Sequence, residues 1–173
     1  KKIGACAFCD CNSLTSVTIS DSVEEMGDAV FYLSDNIKEM TIGKNIDLEH
    51  MGYGHAENIY LTEGRTEIQD YAFFDLSTLK SITLPESLEK IGKAAFMHCS
   101  GLESICLPDG VKTIDANAFQ QCVNLSDITM PDSVEEIGDG AFSGCSALTK
   151  VVIPPNTKVI GEGVYYNCTS LSQ

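Results

Sequence analysis

Apolar and polar residues along this chain recur with a period of about 23 residues, within the range typical of repeat architectures. An aromatic residue marks every repeat except one. These aromatics are Phe8, Phe31, Phe73, Phe96, Phe119, Phe142 and Tyr165. Successive aromatics lie one period apart, except that Phe73 follows Phe31 after two periods less four residues. This long step predicts one irregular, short turn near residues 43–54.

Each repeat carries too few inward positions to enclose a core by itself. With the aromatic as position zero, apolar or small residues return at +3, +6, +9, +11, +15, +18 and +22. The repeat that begins at Phe96 continues with Cys99, Leu102, Ile105, Leu107, Val111, Ile114 and Ala118. Successive repeats must therefore stack to bury these side chains, as in a solenoid. We predict a single solenoid over residues 1–173, with about seven turns.

One segment of each repeat places its apolar residues at +9 and +11, the period-two pattern of a β-strand. These segments are LTSVTIS, IKEMTIG, ENIYLTE, LKSITLP, LESICLP, LSDITMP and LTKVVIP. Stacked at a constant step, they predict a parallel sheet. Four of them end with Pro85, Pro108, Pro131 and Pro154, which lack a backbone donor and limit each strand to a few residues.

The remaining part of the repeat predicts a bend and then a short helical turn. Glycine usually stands at the bend, where we expect a positive φ or a tight change of direction. These glycines are Gly4, Gly27, Gly92, Gly138 and Gly161. Segments after the bend, such as KAAFMHC, tolerate helix but allow only one or two turns of 3₁₀ or α-helix. The expected fold class is therefore an α/β repeat solenoid.

The phrase I-G-x-x-A-F-x-x-C-x-x-L-x-x-I-x-L-P-x-S-V recurs most clearly in residues 91–111, 114–134 and 137–154. It resembles the BspA-like class of leucine-rich repeats found in surface antigens, and the resemblance covers nearly the whole chain. It implies a right-handed leucine-rich-repeat superhelix in a cell-surface or secreted protein that adheres to host proteins or other cells. The chain departs from the pattern at 43–54, Arg65 and Thr157, where we expect a local bulge or a binding feature.

Composition excludes several classes of partner and of protein. Eleven basic and 25 acidic residues give a formal net charge of −14, which repels nucleic acid and anionic membrane surfaces. No apolar run reaches the roughly 18 residues of a membrane-spanning helix, and KKIGACAFCD lacks the apolar region of a signal peptide. The chain begins and stops within a repeat, so we expect a longer parent protein truncated at both ends.

Five cysteines share position +3, where stacking places them in one interior row about 4.8 Å apart. They are Cys11, Cys99, Cys122, Cys145 and Cys168. We interpret this row as buried thiols that act as small hydrophobic groups, because a straight row provides no tetrahedral zinc site and parallel side chains strain a disulfide. Cys106 is expected to be exposed, and Cys6 and Cys9 are either free or paired, with each other or with sequence outside this chain.

Other candidate chemistry is sparse. His50 and His55, with Glu49 and Glu57, form either a metal site or a solvated loop. Acidic residues recur at +13 and predict a solvated acidic edge, with calcium bridging as the alternative, although the DxDxDG spacing is missing. They are Asp21, Glu86, Asp109 and Asp132. No Walker loop, G-x-S-x-G, dinucleotide fingerprint or HExxH is present, so we predict no enzyme, no cofactor and no metal site.

The outward strand positions +7, +8 and +10 form the predicted binding surface, because solenoids bind partners through such extended faces. The candidate residues are Thr18, Lys38, Thr41, Tyr60, Lys80, Thr83, Ser104, Asp127, Thr129 and Lys150. Tyr60 is the one aromatic on this face and the expected anchor for a protein partner. A glycan-recognition segment of a larger secreted protein or enzyme, and a passive spacer, are the alternatives. The scarcity of aromatic platforms favours the protein partner.

Overall fold

Two kinds of β-strand alternate along most of the chain in this computed structural model, which describes residues 1–49 and 51–172. The longer strands are β2 (Ser16–Ile19), β4 (Glu39–Ile42), β5 (Asn58–Leu61), β7 (Ser81–Thr83), β9 (Ser104–Cys106) and β11 (Asp127–Thr129). The two-residue strands are β1 (Lys2–Ile3), β3 (Glu25–Met26), β6 (Glu67–Ile68), β8 (Lys90–Ile91), β10 (Thr113–Ile114), β12 (Glu136–Ile137) and β13 (Val159–Ile160).

The strands stack in parallel, and most pairs join residues one repeat apart. Ile105 pairs with Ile128 and Ile114 with Ile137, so the register equals one full repeat of the sequence. The longer strands form the sheets β2-β4-β5-β7 and β9-β11. The prediction of a parallel β-sheet solenoid with about seven turns, each one repeat long, is confirmed.

The two-residue strands form further parallel sheets that the sequence pattern did not predict. Strands β6, β8, β10, β12 and β13 make a five-stranded parallel sheet, and β1 pairs with β3. Each of these strands ends on the apolar residue at +18, such as Ile114, which is fully buried. Two residues are too few to show a period-two pattern, so this sheet had no clear signal in the sequence.

One predicted strand, LTKVVIP, does not form. Residues 150–153 make no backbone hydrogen bond to β11 in the part of the chain that the structure describes. Ile153 occupies the inward position +11 but is 42% exposed, so it does not gain the burial that supports the other longer strands. Apolar alternation alone was therefore insufficient to specify a strand at this position.

The predicted helical turns are also wrong, because no helix occurs in residues 1–49 and 51–172. The segment opposite the longer strands consists of single turns separated by residues with positive φ. In the repeat of Phe96, these residues are Ala94 and His98, with φ of 52° and 65°. A helix needs a continuous run of negative φ, so two left-handed residues in each turn exclude it.

The glycine column serves close packing and has no positive φ. Gly92 and Gly138 lie outside the left-handed region. A Cβ on Gly138 would lie 2.5 Å from the backbone nitrogen of Ala116 in the preceding turn, and one on Gly92 would lie 2.7 Å from that of Asp70. The expectation of a positive φ at this bend is therefore wrong. Glycine is needed there because adjacent turns approach closely.

A stack of aromatic rings runs through the core along the solenoid axis. The ring centroids of Phe96 and Phe119 are 5.1 Å apart and the planes differ by 2°, and Phe142 continues the stack at 5.3 Å. Phe73 and Tyr165 extend it at 5.1 and 5.5 Å. Because every ring contacts the rings of adjacent turns, the core is continuous from turn to turn.

Candidate binding surface

The longer strands expose one face on which most of the predicted binding residues lie. Nine of the ten candidates are exposed and Thr41 is half-buried. Lys150 lies within the segment that fails to form a strand, so the face has a regular backbone only as far as β11. The sheet also divides between β7 and β9, which places Ser104, Asp127 and Thr129 on a separate pair of strands.

Tyr60 is the largest side chain on this face. The parallel register places it between Thr41 on β4 and Thr83 on β7, and 42% of Tyr60 is exposed. The same row continues with Thr18, directly beside Thr41. The tyrosine ring therefore projects from a row of short hydroxyl side chains.

An ion-pair bridge across three turns lies next to this row. Glu57 contacts the ammonium groups of both Lys38 and Lys80, at 2.8 and 2.6 Å. Hydrogen bonds from Lys38 and then Lys80 lower the pKa of Glu57 to about 2. Two of the three lysines among the candidate residues, Lys38 and Lys80, thus face a shared carboxylate, and their charge is partly balanced before any partner arrives.

The short turn lacks a strand of the second sheet. Residues 27–49 and 51–66 contain no two-residue strand between β3 and β6. Side chains occupy that place: Gln69 accepts a hydrogen bond from the Leu48 amide at 3.0 Å, and the Tyr53 hydroxyl donates to the Leu48 carbonyl at 2.7 Å. Polar side chains thereby satisfy backbone groups that a complete turn would pair.

Arg65 departs from the repeat pattern for the same reason: its side chain satisfies backbone groups of the short turn. It occupies the apolar position +15 and is 6% exposed, with one guanidinium nitrogen donating to the carbonyls of Gly43 and Ile46 at 3.0 and 2.7 Å. Burial lowers the pKa of Arg65, while Tyr53 and Asp47 act in the opposite direction. Its Nε has no partner within the described residues. Arg65 therefore has a structural role inside the short turn and is not part of an exposed binding surface.

A concave pocket of about 600 Å³ opens beside the short turn, on the edge that carries the single turns. Its lining includes Glu49, Tyr53, Tyr71, Phe74 and Asp75. Tyr71 and Phe74 occupy −2 and +1 of their repeat, positions outside the apolar pattern, so that pattern did not predict them as site residues. An aromatic pair at two non-core positions of one repeat was the available signal.

The thiol row is buried where the repeats are regular. The Sγ atoms of Cys99, Cys122 and Cys145 each donate to the carbonyl of an aromatic residue one turn back, at 3.1 to 3.2 Å. Burial raises the pKa of Cys99 and Cys145 to about 12. Ser34 occupies the same position and donates to the Phe8 carbonyl at 2.6 Å. All eight cysteines are free thiols.

The histidine and acidic candidates are not brought together as a metal site. His50 lies outside the described residues, the His55 Nδ1 lies 3.3 Å from Asp35, and Glu57 contacts lysines. Across residues 1–49 and 51–172, no group of three or more histidine, cysteine, aspartate or glutamate side chains is arranged to hold a metal ion.

The candidate acidic edge includes Asp21, which accepts hydrogen bonds from the Lys44 amide and the Thr62 hydroxyl at 3.0 and 2.7 Å. The Thr62 bond and then the Lys44 bond lower the pKa of Asp21. This carboxylate therefore links its own turn to the next two.

No helix that could cross a bilayer is found in the described part of the chain. A family of repeats described as the BspA type leucine rich repeat region matches residues 1–53 and 49–172, with six copies. A comparison with curated proteins finds no match.

Solved structures of bacterial proteins share the fold. A leucine-rich cell surface protein from Faecalibacterium prausnitzii has 34% identity and a TM-score of 0.65, and the match covers 100% of this chain and 42% of that protein. A leucine-rich repeat protein from Bacteroides ovatus has 28% identity and a TM-score of 0.70, and the match covers 86% of this chain and 42% of that protein. The pneumococcal vaccine antigen PcpA has 25% identity and a TM-score of 0.62, and the match covers 99% of this chain and 47% of that protein. The chain thus spans less than half the length of these three proteins.

Proposed function

The chain belongs to the BspA-type leucine-rich-repeat family, and on this premise we propose that it is a non-enzymatic module that binds another protein through its longer-strand face. The observation that supports this most strongly is the exposure of Tyr60 on that face. Tyrosine is enriched among the residues that dominate the binding energy of protein interfaces. The ligand is an extracellular or host protein, and the chain acts at the cell surface or after secretion.

The backbone of this face favours binding without a large loss of conformational freedom. Tyr60 is held in a four-stranded parallel sheet between Thr41 and Thr83, and the neighbouring Lys38 and Lys80 are tied to Glu57. Side chains that are ordered before the partner arrives reduce the entropy lost on association. Cell-surface location is supported by the description of the Faecalibacterium prausnitzii protein, which is named a leucine rich cell surface protein.

The test is a binding screen of the purified chain against arrays of extracellular proteins and glycans. We expect a reproducible protein ligand whose affinity falls about thirtyfold in Tyr60→Ala, the effect of losing a hot spot of about 2 kcal/mol. Tyr166→Ala is the control, since Tyr166 is 66% exposed and lies outside the longer-strand face. Circular dichroism checks that both variants remain folded.

Each other outcome contradicts the proposal in a defined way. A protein ligand that binds Tyr60→Ala and the unmodified chain equally would overturn the assignment of this face. A glycan ligand without a protein ligand would indicate the glycan-recognition alternative. Absence of both would support a passive spacer.

A further inference from the structure

The pocket beside the short turn arises from a difference between two adjacent turns. The short turn contributes Gly52 and Gly54, both with positive φ, to one side of the pocket. The following turn contributes Tyr71 and Phe74, which are 44% and 47% exposed. Large rings beside a depression lined by glycine leave the volume of about 600 Å³ open to solvent.

The aromatic walls of the pocket are held in place by contacts with each other. The ring centroids of Tyr71 and Phe74 are 6.1 Å apart with an interplanar angle of 67°, and Phe74 meets His98 at 5.9 Å and 86°. Edge-to-face contacts of this kind stabilise the relative orientation of the rings. The pocket therefore presents fixed aromatic surface, which gives a cation or an apolar group a favourable place to bind.

The polar side chains that line the pocket are mainly hydrogen-bond acceptors. Glu49 and Asp75 contribute carboxylates, and no lysine or arginine is found among the described residues of the lining. The Tyr53 hydroxyl already donates to the Leu48 carbonyl. A neutral sugar presents both donors and acceptors, whereas lysine and arginine side chains only donate, so the pocket suits a cation better.

The charge of the whole chain acts in the same direction. Its formal net charge of −14 attracts cationic ligands and increases the rate at which they reach an acidic, concave site. We propose that this pocket receives a lysine or arginine side chain from a basic segment of a protein partner. The site is separate from the longer-strand face, since Tyr60 does not line it.

The probe is a synthetic peptide that carries lysine and arginine, compared by calorimetry with a peptide in which glutamine replaces each basic residue. We expect the basic peptide to bind at least about tenfold more tightly, and increasing salt to weaken it. Phe74→Ala and Asp75→Asn should each reduce its affinity by about tenfold. Asparagine is chosen because Asp75 has φ of 60°, which asparagine tolerates.

Tyr166→Ala is the matched control, because Tyr166 occupies position +1 of its repeat, as Phe74 does, and does not line the pocket. Tyr60→Ala should bind the basic peptide with unchanged affinity. Loss of protein binding at the longer-strand face can therefore be distinguished from loss of peptide binding in the pocket. Equal binding of the glutamine peptide, no binding of the basic peptide, or full affinity in Phe74→Ala would each overturn the proposal. Binding of a neutral oligosaccharide that Phe74→Ala abolishes, without peptide binding, would show a glycan site.

Discussion

The side-chain oxygen of Gln69 accepts a hydrogen bond from the backbone amide of Leu48 at 3.0 Å. Gln69 occupies the column in which five other repeats have glycine, and Leu48 belongs to the turn that is four residues short. A side chain therefore replaces a partner that the missing strand would have supplied. The departure from the repeat pattern at Gln69 is a consequence of the short turn.

We expect Gln69→Gly, which restores the usual residue of the column, to destabilise the protein by about 1 to 2 kcal/mol. It leaves the Leu48 amide without its partner, and a buried unpaired donor costs about that much. Gln69→Met keeps the length of the side chain but removes the acceptor, so it should cost a similar amount. The measurement is the urea dependence of unfolding. A gain in stability for Gln69→Gly would show that the hydrogen bond is unimportant.

The glycine column predicts a second contrast between matched variants. Gly138→Ala should destabilise the protein by about 3 kcal/mol, because its Cβ would lie 2.5 Å from the backbone nitrogen of Ala116 and force adjacent turns apart. Gly4→Ala should be neutral or stabilising by up to about 1 kcal/mol, since nothing lies within 4 Å of its Cβ. Thermal unfolding of the two variants measures the difference, and equal effects would contradict the close-packing role.

The repeat pattern predicted the parts of the fold that recur with large side chains. The spacing of Phe96, Ile105 and Ile114 determined the step, the parallel register and the buried face. It missed the two-residue strands, which are too short to carry a period. It also misassigned the single turns, because Ala94 adopts a positive φ that neither its residue type nor its helix propensity indicates.

The binding surfaces were predictable only in part. Outward positions of a period-two strand follow from the sequence, so Tyr60 could be placed on the longer-strand face. The pairing of Lys38 and Lys80 with Glu57 depends on contacts across turns of unequal length. The pocket at Phe74 depends on the backbone of the short turn, which sequence periodicity cannot describe.

Thiol reactivity should separate the cysteines into two groups. Raising the pKa of Cys99 from 9.0 to about 12 lowers its thiolate fraction by about a thousandfold, and burial blocks the reagent as well. We expect alkylation at pH 8 to modify the exposed Cys6 and Cys106 while Cys99, Cys122 and Cys145 remain protected. Peptide mass spectrometry identifies the modified residues. All eight should react in denaturant, and rapid labelling of Cys122 in the folded protein would contradict the buried row.

The bridge at Glu57 predicts a specific dependence of stability on pH. The pKa of Glu57 is about 2 in the folded protein and 4.5 for an ordinary glutamate. Its contribution to stability is therefore fully present above about pH 4.5 and is lost as the pH falls through about 2. We expect Glu57→Gln to be less stable than the unmodified protein at pH 7, with the difference disappearing near pH 2. Glu103→Gln is the matched control: Glu103 shares position +7 but forms no ion pair within the described chain. Unfolding curves over this pH range, with carbon NMR of the Glu57 carboxyl, measure the effect, and a midpoint near 4.5 would show that the lysines do not hold it.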